Sequence, residues 1–102
     1  DGSINWNDSS VNILRLINAS SEPYSGAYCQ YDNAKLIIWR AELYDDQEVY
    51  CGVPGQVSYI NQNENVLIII TGKGKIKVNE VEYEGMRTNP TKIIKSIRKR
   101  LN

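Results

Sequence analysis

The sequence predicts a mainly β domain: a small open OB-like Greek-key barrel with a helix before it and a basic helix after it. Three observations carry that prediction. Apolar residues recur at helical spacing up to Ser20 and at strand spacing from Ala27 onward. Short strand-like runs then follow one another, separated by Asp-Asn, Pro-Gly and Gly-rich turn signals. A last stretch, residues 89–101, returns to helical spacing with cations on its polar positions. A flat sheet with both helices on one face is the alternative arrangement of the same elements.

The elements come in order. Ile4 and Trp6 alternate with polar residues, so residues 1–7 form a short strand or extended lead-in. Asp8 or Ser9 offers a side-chain oxygen to the first free amides of a helix over residues 8–20. Ile13, Leu14 and Ile17 make its apolar face, with Val11 and Leu16 at the edges. Pro23 stops the helix, and Gly26 admits the backbone angles of a corner. The barrel is expected over residues 27–83. Its first strand, Ala27 to Tyr31, turns at Asp32-Asn33 into the strong strand Lys35 to Tyr44. Unbroken alternation there assigns Ile37, Trp39, Ala41 and Leu43 to the core, with Leu36, Ile38, Arg40 and Glu42 opposite. Pro54-Gly55 leads into the strand Gln56 to Ile60. Val66 to Thr71 is apolar on both faces and therefore interior. Lys75 to Tyr83 completes the set, with a bend at Asn79. Asn89-Pro90 is a helix start, a side-chain cap followed by Pro at the first helical position. Ile93, Ile94, Ile97 and Leu101 form an apolar stripe on which a second copy could dock, giving a homo-oligomer.

Composition bounds what such a domain can be. A chain of 102 residues is a single domain with a thin core. Its 41% hydrophobic and 24% charged residues are those of an ordinary globular domain, which argues against disorder. Seven Tyr and two Trp with no Phe place polar-tipped rings at the rim of the core. Formal charge is zero but polarised: residues 1–64 hold nine acids and three bases, and residues 85–102 hold six bases and no acid. The basic tail therefore faces either an acidic partner or the acidic half of its own domain. No apolar run reaches membrane-spanning length; Cys29 and Cys51 are expected as reduced thiols of a cytoplasmic protein, with a single bridge between them as the alternative. The chain opens on Asp1 instead of Met, as expected for a fragment or processed product.

Residues able to do chemistry are few. The sequence has no His, the commonest general base, so neither a Ser triad nor an activated Cys29 is expected. Asp45, Asp46 and Glu48 lack the ligand spacing of a calcium loop. Thr71-Gly72-Lys73-Gly74-Lys75 lacks the Walker spacing and reads as a turn between strands. No catalytic, cofactor or metal residue is assigned. The candidates that remain are basic: Lys73, Lys75 and Lys77 on the last long strand, and Lys92, Lys95 and Lys99 on the C-terminal helix. They make either one electropositive surface for nucleic acid or a partner, or an ordinary solvated face.

The ordered motifs DGSINWN, ILRLINA, PYSGAY, KLIIWRAE, PGQV and TGKG resemble the C-terminal domain of the formyltransferase family, which includes methionyl-tRNA formyltransferase and the sugar N-formyltransferases. The residues that carry the resemblance are Asp1, Gly2, Ile4, Trp6, Ile13, Leu16, Pro23, Gly26, Ala27, Tyr28, Trp39, Pro54, Gly55, Val57, Gly72 and Gly74. It runs from residue 1 to about residue 86. The resemblance implies an open OB-like barrel and a parent enzyme that moves a formyl group from 10-formyltetrahydrofolate to an amine. The folate site and the catalytic Asn, His and Asp of that family sit in an N-terminal Rossmann-like domain, so no catalytic residue carries over. Residues 1–6 would arrive from that catalytic domain, the partner expected in the same chain. In the tRNA-acting branch this domain offers a basic face to tRNA; in the sugar branch it is an accessory domain. The acidic first 64 residues and the tail NPTKIIKSIRKRLN depart from the tRNA pattern.

Overall fold

A computed structural model describes residues 2–49 and 52–102. Cys51, one of the two thiols considered above, lies outside the described residues. One helix, α1 (Ser10–Ser20), precedes six strands: β1 (Ala27–Tyr31), β2 (Ala34–Asp45), β3 (Val57–Asn61), β4 (Val66–Ile70), β5 (Lys75–Tyr83) and β6 (Met86–Thr88). All pairings between these strands are antiparallel, in the order β1-β2-β5-β4-β3. Strands β3, β4 and β5 form a meander whose last strand returns beside β2, a Greek-key path. The free edge of β5 is shared by β4 along Lys75–Val78 and by β6 along Val81–Tyr83. The mainly β, open-sheet expectation holds, and the sheet is not a closed barrel.

Local chemistry places each element. Ser9 is the N-cap of α1, its hydroxyl accepting from the Asn12 amide at 3.2 Å. Ser10 anchors the first turn: its amide donates to the Lys73 carbonyl at 2.9 Å and its hydroxyl to the Asp45 carbonyl at 2.8 Å. Ile13 and Ile17 are buried, and the helix packs chiefly on β2. Asp32 and Asn33 both take positive φ, 48° and 67°, which matches the twist of a two-residue hairpin. On β4 every residue is buried, as its two-sided apolar sequence requires. The polar strand ends turn on side chains: the Asn61 carboxamide oxygen accepts from the Asn63 and Glu64 amides, each at 3.0 Å.

The first half of β2 buries the opposite face from the one simple alternation assigns, whereas Ala41 in the second half packs on the core as assigned. Leu36 and Ile38 enter the core, while Ile37 is half-buried and Leu43 is exposed. The reason is a pair of bulges. Ile38 faces Val81 and Arg40 faces Glu80, so Trp39 is an extra residue on β2; Ala41 then faces Val78, so Asn79 is an extra residue on β5. The two insertions cancel, and Ala41 joins Leu36 and Ile38 on the core side. The expected bend at Asn79 is therefore a bulge within a continuous strand. Trp39 is left on the outer side, yet it is buried there.

The C-terminal helix expected over residues 89–101 does not form. The start is as read: Asn89 Oδ1 accepts from the Thr91 amide at 3.0 Å and Pro90 opens a turn, but this turn is a 3₁₀ helix that spans only Pro90–Lys92. A longer helix would stack Lys92 on Lys95, and Lys95 on Arg98 and Lys99, at the i+3 and i+4 spacings where like charges repel. The alternative partners are better. Ile94 and Leu101 enter the core separately, and the backbone near Leu101 pairs with sheet edges. The stripe read as a docking face is thus split: Ile94 and Leu101 are fully buried, Ile93 is half-buried, and Ile97 is exposed.

Gly26 holds the corner between α1 and β1 at φ +90°, where its amide donates to the Ser20 carbonyl at 2.8 Å. A Cβ there would lie 2.5 Å from the Ile37 Cγ2 and 3.2 Å from the Trp39 ring. Gly26→Val adds both a disfavoured backbone angle and this overlap. Chemical denaturation should show a loss of about 2 kcal/mol or more; a variant as stable as the parent would contradict the packing described.

Candidate functional site

The basic residues singled out by the sequence are distributed over two faces. Lys75 and Lys77 project from β5 on the side opposite Ile76 and Val78, and therefore away from the core. Lys75 reaches across β4, its ammonium 3.0 Å from the Ser58 hydroxyl on β3. Its stem covers the outer side of a strand whose Ile68 and Ile70 are both buried. Lys77 pairs with Glu42 on β2 at 3.8 Å. Lys73 is exposed on the β4–β5 turn, while its carbonyl receives the Ser10 amide. The segment that carries Lys92, Lys95 and Lys99 lies over the core side, since Ile94 enters the core from it. Lys92 and Lys95 are exposed. Lys99 pairs with Asp32 at 3.3 Å and lies 6.0 Å from the Tyr31 ring centroid. Part of the tail's charge thus meets the acidic half of its own domain.

The most connected cation is Arg87 on β6, which the sequence reading counted only as part of the basic tail. Its Nη1 lies 3.1 Å from Glu22 Oε2 and its Nε 3.2 Å from Glu80 Oε2. The guanidinium stands 4.7 Å from the Trp39 ring, and the Trp39 indole N–H donates to Glu82 Oε1 at 3.0 Å. One planar side chain therefore ties the α1–β1 corner to β2, β5 and β6. Hydrogen bonding to Arg87, then its charge, holds the Glu22 carboxyl below the ordinary carboxylate range. The same hydrogen bonds push the Arg87 pKa up. Glu22 is sixty-five residues from Arg87 in the chain, so no local spacing announces the contact.

The segment that leads into α1 is fixed by backbone bonds. Ile4 N–H donates to the Tyr28 carbonyl and Tyr28 N–H to the Gly2 carbonyl, both at 2.8 Å. Gly72 N–H lies between the Trp6 and Asp8 carbonyls, at 3.0 and 2.9 Å. Ile4 and Trp6 are buried beneath these contacts. The acidic loop after β2 folds on itself, Asp45 accepting from the Glu48 amide at 3.2 Å. Of the rings expected at the rim, Tyr24, Tyr44 and Tyr59 are exposed. Tyr31 and Tyr83 form an edge-on pair 5.5 Å apart.

Comparison with known proteins gives this architecture a family. The family model described as formyl transferase, C-terminal domain, matches residues 1–98. The chain belongs to that family. The formyltransferase C-terminal domain is also similar to part of the bifunctional polymyxin resistance protein ArnA of Wigglesworthia glossinidia brevipalpis. The two are 35% identical over 83 residues, which cover 81% of this chain and 12% of that protein. Among solved structures, HypX from Aquifex aeolicus in complex with tetrahydrofolic acid superposes with a TM-score of 0.74 at 16% identity, over 93% of this chain and 16% of that one. A HypX variant carrying A392F and I419F gives a TM-score of 0.70 at 18% identity, over 89% of this chain and 16% of that one. At these identities the structural likeness is one of fold. The motif set that resembled the family in sequence is thus matched by the family itself. No helix among the described residues is long and apolar enough to cross a membrane.

Cys29 is a buried free thiol on β1. Burial pushes its pKa from the ordinary 9.0 up to about 12, and the Trp6 indole acts less strongly in the opposite sense. A pKa raised by folding stabilises the native state fully below the unfolded value, and the contribution is lost as pH rises through the folded one. Stability should therefore fall between pH 9.0 and about 12, and Cys29→Ala should flatten part of that decline. Denaturant midpoints measured across this range check the sign. Native protein at neutral pH should also leave Cys29 unlabelled by a thiol reagent until it unfolds.

Proposed function

We propose that this chain is the non-catalytic C-terminal domain of a cytoplasmic formyltransferase, an architectural unit that holds and orients a catalytic domain. In this reading the parent transfers a formyl group from 10-formyltetrahydrofolate to an amine, on methionyl-tRNA or an amino sugar. The observation that carries it is the family match over residues 1–98, in a chain that spans only 12% of the length of its curated relative. The tetrahydrofolic acid bound to HypX supports a folate-linked parent. The fixed lead-in supports the orienting role. Residues 2–8 are held to β1 and to the β4–β5 turn by backbone bonds, so a domain attached ahead of them would be presented at a defined angle. Chemistry in this reading belongs to the attached domain, and this one supplies rigidity.

Calorimetric titration of the isolated chain with tetrahydrofolate tests the assignment. The expected result is no saturable binding, with formyl transfer seen only in the longer protein. Saturable folate binding or turnover by this chain alone would overturn it.

The exposure of Lys73, Lys92 and Lys95 favours a second reading, contact with tRNA or another single-stranded nucleic acid. Lys75, Lys77 and Lys99 would contribute less, because each already engages a group of its own domain. Phosphate contacts of this kind weaken steeply with salt, by roughly a thousandfold or more between about 50 and 200 mM for six or more contacts. Titration with tRNA at both salt concentrations separates the readings. The architectural reading expects no affinity at either. The nucleic-acid reading expects salt-sensitive binding that Lys73, Lys92 and Lys95→Glu abolishes.

A further inference from the structure

The open side of the sheet lies between β1 and β3, and residues Lys99–Asn102 fill it. Val57 N–H donates to the Lys99 carbonyl at 3.3 Å, and Leu101 N–H to the Gly55 carbonyl at 2.8 Å. An antiparallel bridge pairs Gln56 with Arg100 between them. One residue further on, Asn102 N–H donates to the Gln30 carbonyl of β1 at 3.0 Å. The segment is therefore a short surrogate strand bonded to both edges at once. It is matched to its groove by shape as well. Gly55 sits at φ +95°, and a Cβ there would lie 2.2 Å from the Leu101 carbonyl oxygen. The close approach is possible because position 55 has no side chain.

Several features make this strand separable from the rest. A single buried side chain anchors it, Leu101, at 1% exposure; Arg100 adds only an exposed hydrogen bond, its Nε donating to the Pro54 carbonyl at 3.1 Å. Arg98, Lys99, Arg100 and Asn102 around it are exposed. The previous anchor is Ile94, and the connection from Lys95 to Arg100 contributes no buried side chain. The ion pair from Lys99 to Asp32 is itself exposed and open to screening by salt.

We propose that Lys99–Asn102 is an exchangeable strap, and that the groove between β1 and β3 is a strand-acceptor site for the same segment of a second copy of this chain. Release frees the Val57 amide and the Gly55 and Gln30 carbonyls on facing edges, together with a pocket shaped for one leucine. Exposed edges of this kind pair with an added strand. The segment of a second copy satisfies them with identical contacts, which is the logic of strand exchange between protomers. The exposed connection from Lys95 to Arg98 serves as the hinge.

Hydrogen exchange on the full chain tests the first half. The Val57, Leu101 and Asn102 amides should exchange together, about 100-fold or more faster than the Ile70 amide, which bonds within the sheet to the Gln56 carbonyl. Exchange at the same rate as Ile70 would mean that the strap leaves only on global unfolding, and would overturn the proposal. The second half is tested with a labelled peptide of residues 95–102 added to full-length Leu101→Asp. Saturable binding is expected, with none to the wild type at the same concentrations and none by a peptide that itself carries Leu101→Asp. A folded Leu101→Asp protein, judged by retained protection at Ile70, that does not bind the peptide would overturn the acceptor site. Should Leu101→Asp fail to fold, Leu101→Ala serves in its place, and the same absence of binding counts against the site.

Discussion

The paired bulges at Trp39 and Asn79 are the constraint on which the sheet depends. Strands β2 and β5 are the longest; β5 buries Ile76 and Val78 before Asn79 and Val81 after it, while β2 buries Leu36 and Ile38 before Trp39 and packs Ala41 on the core after it. Uninterrupted alternation would place Arg40 on the core face along with Leu36 and Ile38, and would turn Ala41 and Val78 outward. One extra residue on each strand corrects the phase of both, and the register from Ala41 to Leu43 is that of the strand before them, until a further shift between Leu43 and Asp45. Bulges also increase local twist, which suits a sheet that must curl around α1 and the Ile4–Trp6 segment. The residue displaced on β2 is a tryptophan. On the outer side it becomes the platform for Arg87 and the lid over Gly26. The correction of the core thus creates the contact that fixes the α1–β1 corner.

Curling brings the sheet edges near one another without pairing them, and the remaining edge groups are met by segments that are not strands. Gly2 and Ile4 bond to Tyr28, and Asn102 bonds to Gln30, so one edge of β1 is served from both directions. Lys99 and Leu101 serve the edge of β3. An open sheet with such edges is exposed to pairing with another strand, and here the chain's own segments cover them. The same arrangement fixes the direction from which the chain enters α1. That rigidity is what an orienting domain requires.

Much of this was legible in the sequence, and the misreadings have physical causes. The α1 face, the Asp32-Asn33 hairpin and the interior strand β4 follow from periodicity and turn chemistry acting over a few residues; the irregularity at Asn79 was legible as a bend, but it is a bulge within a continuous strand. Only the first half of the β2 face comes out inverted, because a bulge shows itself only when both strands are in register. The C-terminal helix was expected from an apolar spacing that helices and separately anchored loops share. Ile94 and Leu101 fit a helical stripe on paper, yet sheet edges far away in sequence claim the backbone near Leu101. The lysines could be named, but not which of them pair: Lys77 finds Glu42 through the β2–β5 register, and Lys99 finds Asp32 because the tail is bonded to the sheet edges. Arg87 was hidden for the same reason. The family could be recognised because its motif residues, Gly26, Gly55 and Gly72 among them, sit where backbone must pass close to another part of the chain.

The domain's charge polarity has a corresponding structural reading. Glu22, Asp32 and Glu42 come from the acidic first part of the chain, and each meets a cation from β5, β6 or the tail. Much of the apparent dipole is therefore folded back on itself, and what remains outward is a smaller set of lysines. The Glu42–Lys77 pair, and the Trp39 bulge on which Arg87 rests, both depend on the β2–β5 register. Backbone nuclear Overhauser contacts in the folded protein measure it directly. The account predicts Arg40 opposite Glu80, with Ile38 opposite Val81 and Ala41 opposite Val78. Contacts that place Arg40 opposite Asn79, in one uninterrupted ladder, would contradict it.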